Sequence, residues 1–122
     1  IGNETIEMNS LVELYKMFSN LGEYEFSHTY EVRMDQLYNK SDSPRLRFDY
    51  MIFKGDVSNA RKNTQLALQW YRNARQIAET SEDLDISYAC IAYIKLRDLL
   101  TQTEEYSEAL EMAYKVLRIN QN

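Results

Sequence analysis

In the segment LALQWYRNARQIA, Leu66 to Ala78, apolar residues recur at spacings of three and four: Leu66, Ala67, Trp70, Tyr71, Ala74, Ile77 and Ala78. An α-helix turns once every ~3.6 residues, so this spacing gathers them on one side of a cylinder, where a strand would need strict alternation. The signature recurs along the chain. It places Leu11, Leu14, Tyr15 and Phe18 on a first helix, Phe26, Tyr30, Met34, Leu37 and Tyr38 on a second, and Phe48, Met51 and Ile52 on a third. In ISYACIAYI, residues 86–94, small or apolar residues lie on nearly every side, which predicts a helix covered on two faces. In EEYSEALEMAYKVLRIN, Glu104 to Asn120, the residues Tyr106, Ala109, Leu110, Ala113, Val116 and Leu117 are expected on the buried side of a last helix. Three glycines and one proline supply little of the turn chemistry that many short strands require. The expected class is all-α, with six helices.

Boundaries follow from local chemistry. Gly22 in NLGEY marks a turn, and Ser43 followed by Pro44 reads as an N-cap and first helical residue, because proline lacks the amide hydrogen that this position leaves unpaired. The third helix is expected to fade around GDVSNARKN, where Gly55 weakens it. Ser81 is expected to cap the fifth, with Glu82, Asp83 and Asp85 in its first turn near the positive end of the helix dipole. Short connections make sequential helices antiparallel neighbours, giving three pairs. With 122 residues, 44% hydrophobic and 27% charged, the chain is long enough for one packed domain.

Aligned by the second helix of each pair, Ser27, Ala67 and Ala109 fall in register. Helix pairs at a regular spacing are the signature of a solenoid, in which small residues let axes approach and large ones fill the holes between pairs. Gly55, Ala67, Tyr71 and Ala74 resemble the small, small, aromatic and small positions of the tetratricopeptide repeat, and LGEYE at Leu21–Glu25 and the last helix resemble other parts of it. Departures are Tyr15 and Arg97 at small positions, Glu31 at the aromatic one, a longer repeat, and no proline after any second helix. The resemblance implies a right-handed superhelix of three repeats, over residues 4–40, 43–80 and 82–120, within a longer protein of bacterial signalling or regulatory type. An ordinary six-helix bundle is the alternative.

Little in the sequence points to catalysis. His28 is the sole histidine, and one histidine does not close a metal site. Asp83–Asp85 lack the spacing and glycine of a calcium loop. Cys90, the single cysteine, lies in an apolar run and reads as a buried structural residue. No phosphate-binding glycine loop or nucleophile elbow is present, and the glycosylation patterns at Asn3 and Asn39 are too short to carry weight. No enzyme activity, cofactor or metal is expected.

Charge is segregated. Residues 1–39 hold two basic and seven acidic side chains, residues 40–75 eight and three, and residues 76–122 four and nine. The acidic balance disfavours nucleic acid, and no apolar run approaches the ~20 residues that span a bilayer. A soluble chain is expected, with the cytoplasm favoured over an exported sensor. Arg45, Arg47, Lys54, Arg61 and Lys62 form a candidate basic patch for an acidic peptide, against the plainer reading of a solvated face paired with its acidic neighbours.

In tetratricopeptide proteins the first helix of each pair lines the concave surface. The resemblance therefore implies Lys16, Asn20, Asp49, Asp56, Ile94 and Asp98 as the partner-binding surface, and a protein or peptide as the partner. The lysine and asparagine pattern that grips a terminal carboxylate in chaperone adaptors of the family is not reproduced, Val12 occupying one of its positions. The expected function is a non-catalytic interaction scaffold, with a small-ligand sensor built around a tyrosine-lined pocket as the alternative. Met112, Tyr114 and Leu117 are expected to need covering, by an adjoining domain, a second copy or the ligand.

Overall fold

A computed structural model of the chain describes residues 2–121. Among them are six helices and no strand: α1 (Gly2–Asn20), α2 (Tyr24–Lys40), α3 (Pro44–Ala60), α4 (Thr64–Thr80), α5 (Ile86–Gln102) and α6 (Tyr106–Gln121). Consecutive helices form the hairpins α1/α2, α3/α4 and α5/α6, stacked in chain order.

All three hairpins turn by one device. Gly22, Lys62 and Glu104 take positive φ, at 78°, 65° and 64°. The next residue's N–H, from Glu23, Asn63 and Glu105, reaches back to the carbonyl of Phe18, Ser58 and Leu100 at 2.8, 2.9 and 2.9 Å. This is the Schellman closure of a helix C-terminus. Glycine enters that region freely, whereas Lys62 and Glu104 carry a Cβ into it. Ser27, Ala67 and Ala109 each lie five residues beyond such a turn residue and all three are buried, so the small-residue register seen in the sequence is a register of environments.

Gly55 has a different duty. An added Cβ would lie 2.3 Å from Cε1 of Tyr71, whose buried ring rests on the glycine while its hydroxyl donates to Asp56 at 2.6 Å. α3 therefore runs through Gly55 to Ala60 rather than fading there.

Ser43 caps α3 as expected, its hydroxyl accepting from Leu46 N–H with Pro44 in the first turn. α5 begins later than expected. Ser81 ends α4, its N–H bonding to the Ile77 carbonyl, and Asp85 is the N-cap of α5, accepting from the N–H and hydroxyl of Ser87. The intervening segment is pinned by buried Leu84.

The core has two lobes. One gathers Met8, Leu11, Met34, Leu37, Leu46 and Phe53, and the other extends from Phe48 through Leu68 and Leu96 to Met112; Tyr38 and Trp70 touch both. α3 leans on α1, whereas α5 leans on α4, so the two junctions between hairpins are not copies. Tyr50 donates to Asp35 across the first, at 2.6 Å, and Tyr93 donates to Glu79 across the second.

The expected buried face of α6 is corrected in part. Ala109, Met112 and Val116 are buried, but Tyr106, Leu110 and Leu117 are exposed, since only one junction covers this helix and its apolar arc is wider than that contact. α5 is covered on two faces as expected, by α4 and by α6, while Ile86 and Ile91 remain exposed and Cys90 is half-buried, not buried as expected.

Candidate partner-binding groove

α1 and α3 lie side by side, with the rings of Tyr15 and Phe53 meeting edge to face at 4.9 Å. Tyr15 stands at the register position of Gly55. Glu31 replaces the aromatic ring that would need a small residue there, and bonds Lys54 instead. Tyr15 thus fills the space between the helices. Beside this pair opens a cleft of roughly 690 Å³, lined by Lys16, Ser19, Asn20, Tyr24, Asp56 and Arg61 as well as by both rings. A smaller recess of about 170 Å³ shares Lys16, Phe53 and Asp56 with it and adds Val12, Asp49, Ile52 and Ile91. The two make one groove along the α1/α3 face.

The charges in this groove are in different states. Asp56 is satisfied, accepting from Tyr71 and from Lys95 Nζ at 3.0 Å. Asp49 is not: among the described residues no cation reaches it within ion-pair distance, and its surroundings are largely apolar. Burial pushes its carboxyl up to about 6, against the pull of Arg45 one turn away. Lys16 and Arg61 at the cleft are only loosely engaged, Lys16 4.0 Å from Glu13 and Arg61 3.9 Å from Glu31. Ser19 Oγ is enclosed and has no hydrogen-bond partner among the described residues. A carboxylate short of a cation, two loosely held cations and an orphaned hydroxyl thus border one aromatic floor.

Four of the six expected surface positions, Lys16, Asn20, Asp49 and Asp56, line this groove. The other two do not. Ile94 is half-buried against the core and Asp98 pairs with Arg97 at 3.0 Å; α5 reaches the groove through Ile91 instead. The rings of Tyr15 and Tyr24, the hydroxyl of Ser19 and the walls Phe53 and Ile91 also line it, although none was an expected surface position. The available signal was Tyr15, a ring where the repeat wants a small residue.

The expected basic patch does not assemble. Arg47 lies 4.0 Å over the Tyr38 ring and donates to the Tyr38 and Ser41 carbonyls and the Tyr38 hydroxyl, binding the end of α2 to α3. Lys54 is half-buried between Glu31 and Asp35, at 2.8 and 3.6 Å. Arg45, Arg61 and Lys62 are exposed, with Arg45 in the first turn of α3 and the other two beyond its end. Carboxylates of α2 engage Lys54 and neutral groups at the end of α2 engage Arg47, which removes two of the five cations from a shared surface.

Among the described residues no group of three or more metal-binding side chains exists, and no helix is long and apolar enough to cross a membrane. No family model, curated protein or solved structure matches the chain.

Proposed function

We propose that this chain is a non-catalytic scaffold that binds an extended protein or peptide segment along the α1/α3 groove. The carrying observation is Asp49, a carboxylate held in a largely apolar recess at an energetic cost that, among the described residues, only the pull of Arg45 offsets, and only in part. A lysine or arginine side chain entering the recess offsets that cost by supplying the missing charge. The adjoining aromatic cleft takes an apolar or aromatic residue, and Lys16 with Arg61 favours an acidic residue beyond it. The preferred segment therefore carries a basic residue at one end and an acidic one at the other. The tetratricopeptide resemblance supports the same face, and a scaffold within a longer signalling or regulatory protein is the setting that fits it.

A peptide array varied in charge order tests the reading. Peptides in the order basic, aromatic, acidic are expected to bind, reversed ones to bind less, and Asp49→Asn to lose the preference for the basic end. Equal binding of all orders, or none, would refute it. A second reading, a small-ligand sensor, is favoured by cleft volume alone, since ~300–1,000 Å³ is usual for such sites. A thermal shift with a single metabolite and no peptide binding would establish it instead.

A further inference from the structure

Among the described residues the two end faces of the stack are uncovered, and they match. Between the second and third hairpins, Arg72 and Arg75 of α4 reach Glu108 and Glu111 of α6 at 3.0 and 3.7 Å. Counted from the turn residues Lys62 and Glu104, the register counterparts of the two arginines are Tyr114 and Leu117 on the far side of α6. Counted from Gly22, those of the two glutamates are Phe26 and Thr29 on α2. Thus the third hairpin presents an apolar pair where the second presents cations, and the first presents Phe26 and Thr29 where the third presents anions. Tyr114, Leu117 and Phe26 are each more than half exposed, at 58%, 51% and 54%.

The surrounding surface has the same character. Leu110 is the counterpart of Leu68; Leu68 is fully covered, while Leu110 is open beside a groove of about 420 Å³ that also takes in Tyr106 and Ala113. At the other end Ile6 and Met17 of α1 are exposed. We infer that the chain self-associates head to tail, the α5/α6 end of one copy packing on the α1/α2 end of the next and continuing the hairpin stack. Tyr114 then meets Phe26, and Leu117 meets Thr29, with no like charges along that seam. The Lys95–Asp56 pair, 3.0 Å apart within the chain, has Glu13 and Asp98 as its counterparts between copies. That like-charged pair weakens the contact at low ionic strength, so association should strengthen with salt. Such a contact is heterologous and does not close on itself, so it builds a series rather than a single dimer.

Sedimentation velocity on the 122-residue chain, over a hundredfold range of concentration and in low and high salt, tests this. Dimers, trimers and longer species growing with concentration and salt are expected. Two surface variants decide the geometry: Leu110→Asp with Leu117→Asp blocks one end, and Met17→Asp with Phe26→Asp blocks the other. Each alone should be monomeric with unchanged circular dichroism, and an equal mixture should form a heterodimer and nothing larger. A wild-type monomer throughout, a dimer that does not grow, or a mixture that stays monomeric would overturn the inference.

Discussion

Replacing Asp49 with asparagine removes a charge the fold holds at a disadvantage while keeping the side chain's shape. Raising the carboxyl from 3.8 to about 6 disfavours its ionised form by about 3 kcal/mol, at 1.36 kcal/mol per pH unit. The recess is open to water, which reduces the stabilisation expected of Asp49→Asn at pH 7 to about 1–2 kcal/mol. The sign follows from proton linkage. The folded carboxyl holds its proton more tightly than the unfolded one, so this group's contribution falls as pH rises from about 4 to 6 and is flat above. Urea denaturation of both proteins at several pH values between 4 and 8 is the assay. The stability curves should coincide near pH 4, separate through pH 6 and run parallel beyond. A variant no more stable than wild type at pH 7, or an offset that persists at pH 4, would refute the claim that Asp49 lacks a compensating partner.

Other outcomes follow from the same contacts. Gly55→Ala should destabilise by about 1–3 kcal/mol, because overpacking against the tethered Tyr71 ring outweighs the helix propensity gained; in a Tyr71→Leu background the loss, read by urea unfolding, should shrink. Glu104→Gly should stabilise by about 0.5–1 kcal/mol by relieving a positive φ, visible as a raised Tm. Arg47→Lys should lose much of the Arg47 effect although charge is kept, since an ammonium cannot reproduce the stacked, forked contact with Tyr38 and the α2 carbonyls; thermal melts of the Lys and Ala variants should fall close together. The Arg33 hydrogen bond to Glu7 and the Ser87 hydrogen bonds to Asp85 hold those carboxyls below their ordinary range. Such groups add stability above the unfolded pKa and lose it as pH falls through the folded one, opposite in sense to Asp49. Wild-type stability should therefore peak near about pH 4 to 4.5 and fall toward about pH 6, and that fall should be lost in Asp49→Asn.

Periodicity exposed the six helices because each buries an apolar stripe, and Ser27, Ala67 and Ala109 revealed the register because each hairpin buries a small residue at that point. Reading failed where the answer depended on angular detail or on another helix. On α6, Leu110 and Met112 both continue the apolar pattern, yet Met112 is covered and Leu110 open, a distinction set by where α5 sits. Ser81 has the chemistry of an N-cap, but the helix before it uses it as an ending. The pairing of Lys54 with Glu31, 23 residues away, turned an expected patch into an internal bridge. Asp49 was marked as a surface position, but its isolation depends on walls from α1 and α5 that no local pattern specifies.

The proposed working surface is the face formed by α1 and α3. Backbone and side-chain chemical-shift mapping with the best array peptide, titrated into labelled protein, tests it most directly. Perturbations are expected to cluster at Tyr15, Lys16, Asp49, Phe53 and Arg61, and to be lost around position 49 in Asp49→Asn, which does not take up the basic residue. Perturbations confined to α4 and α6, with the α1/α3 signals unmoved at saturation, would contradict it.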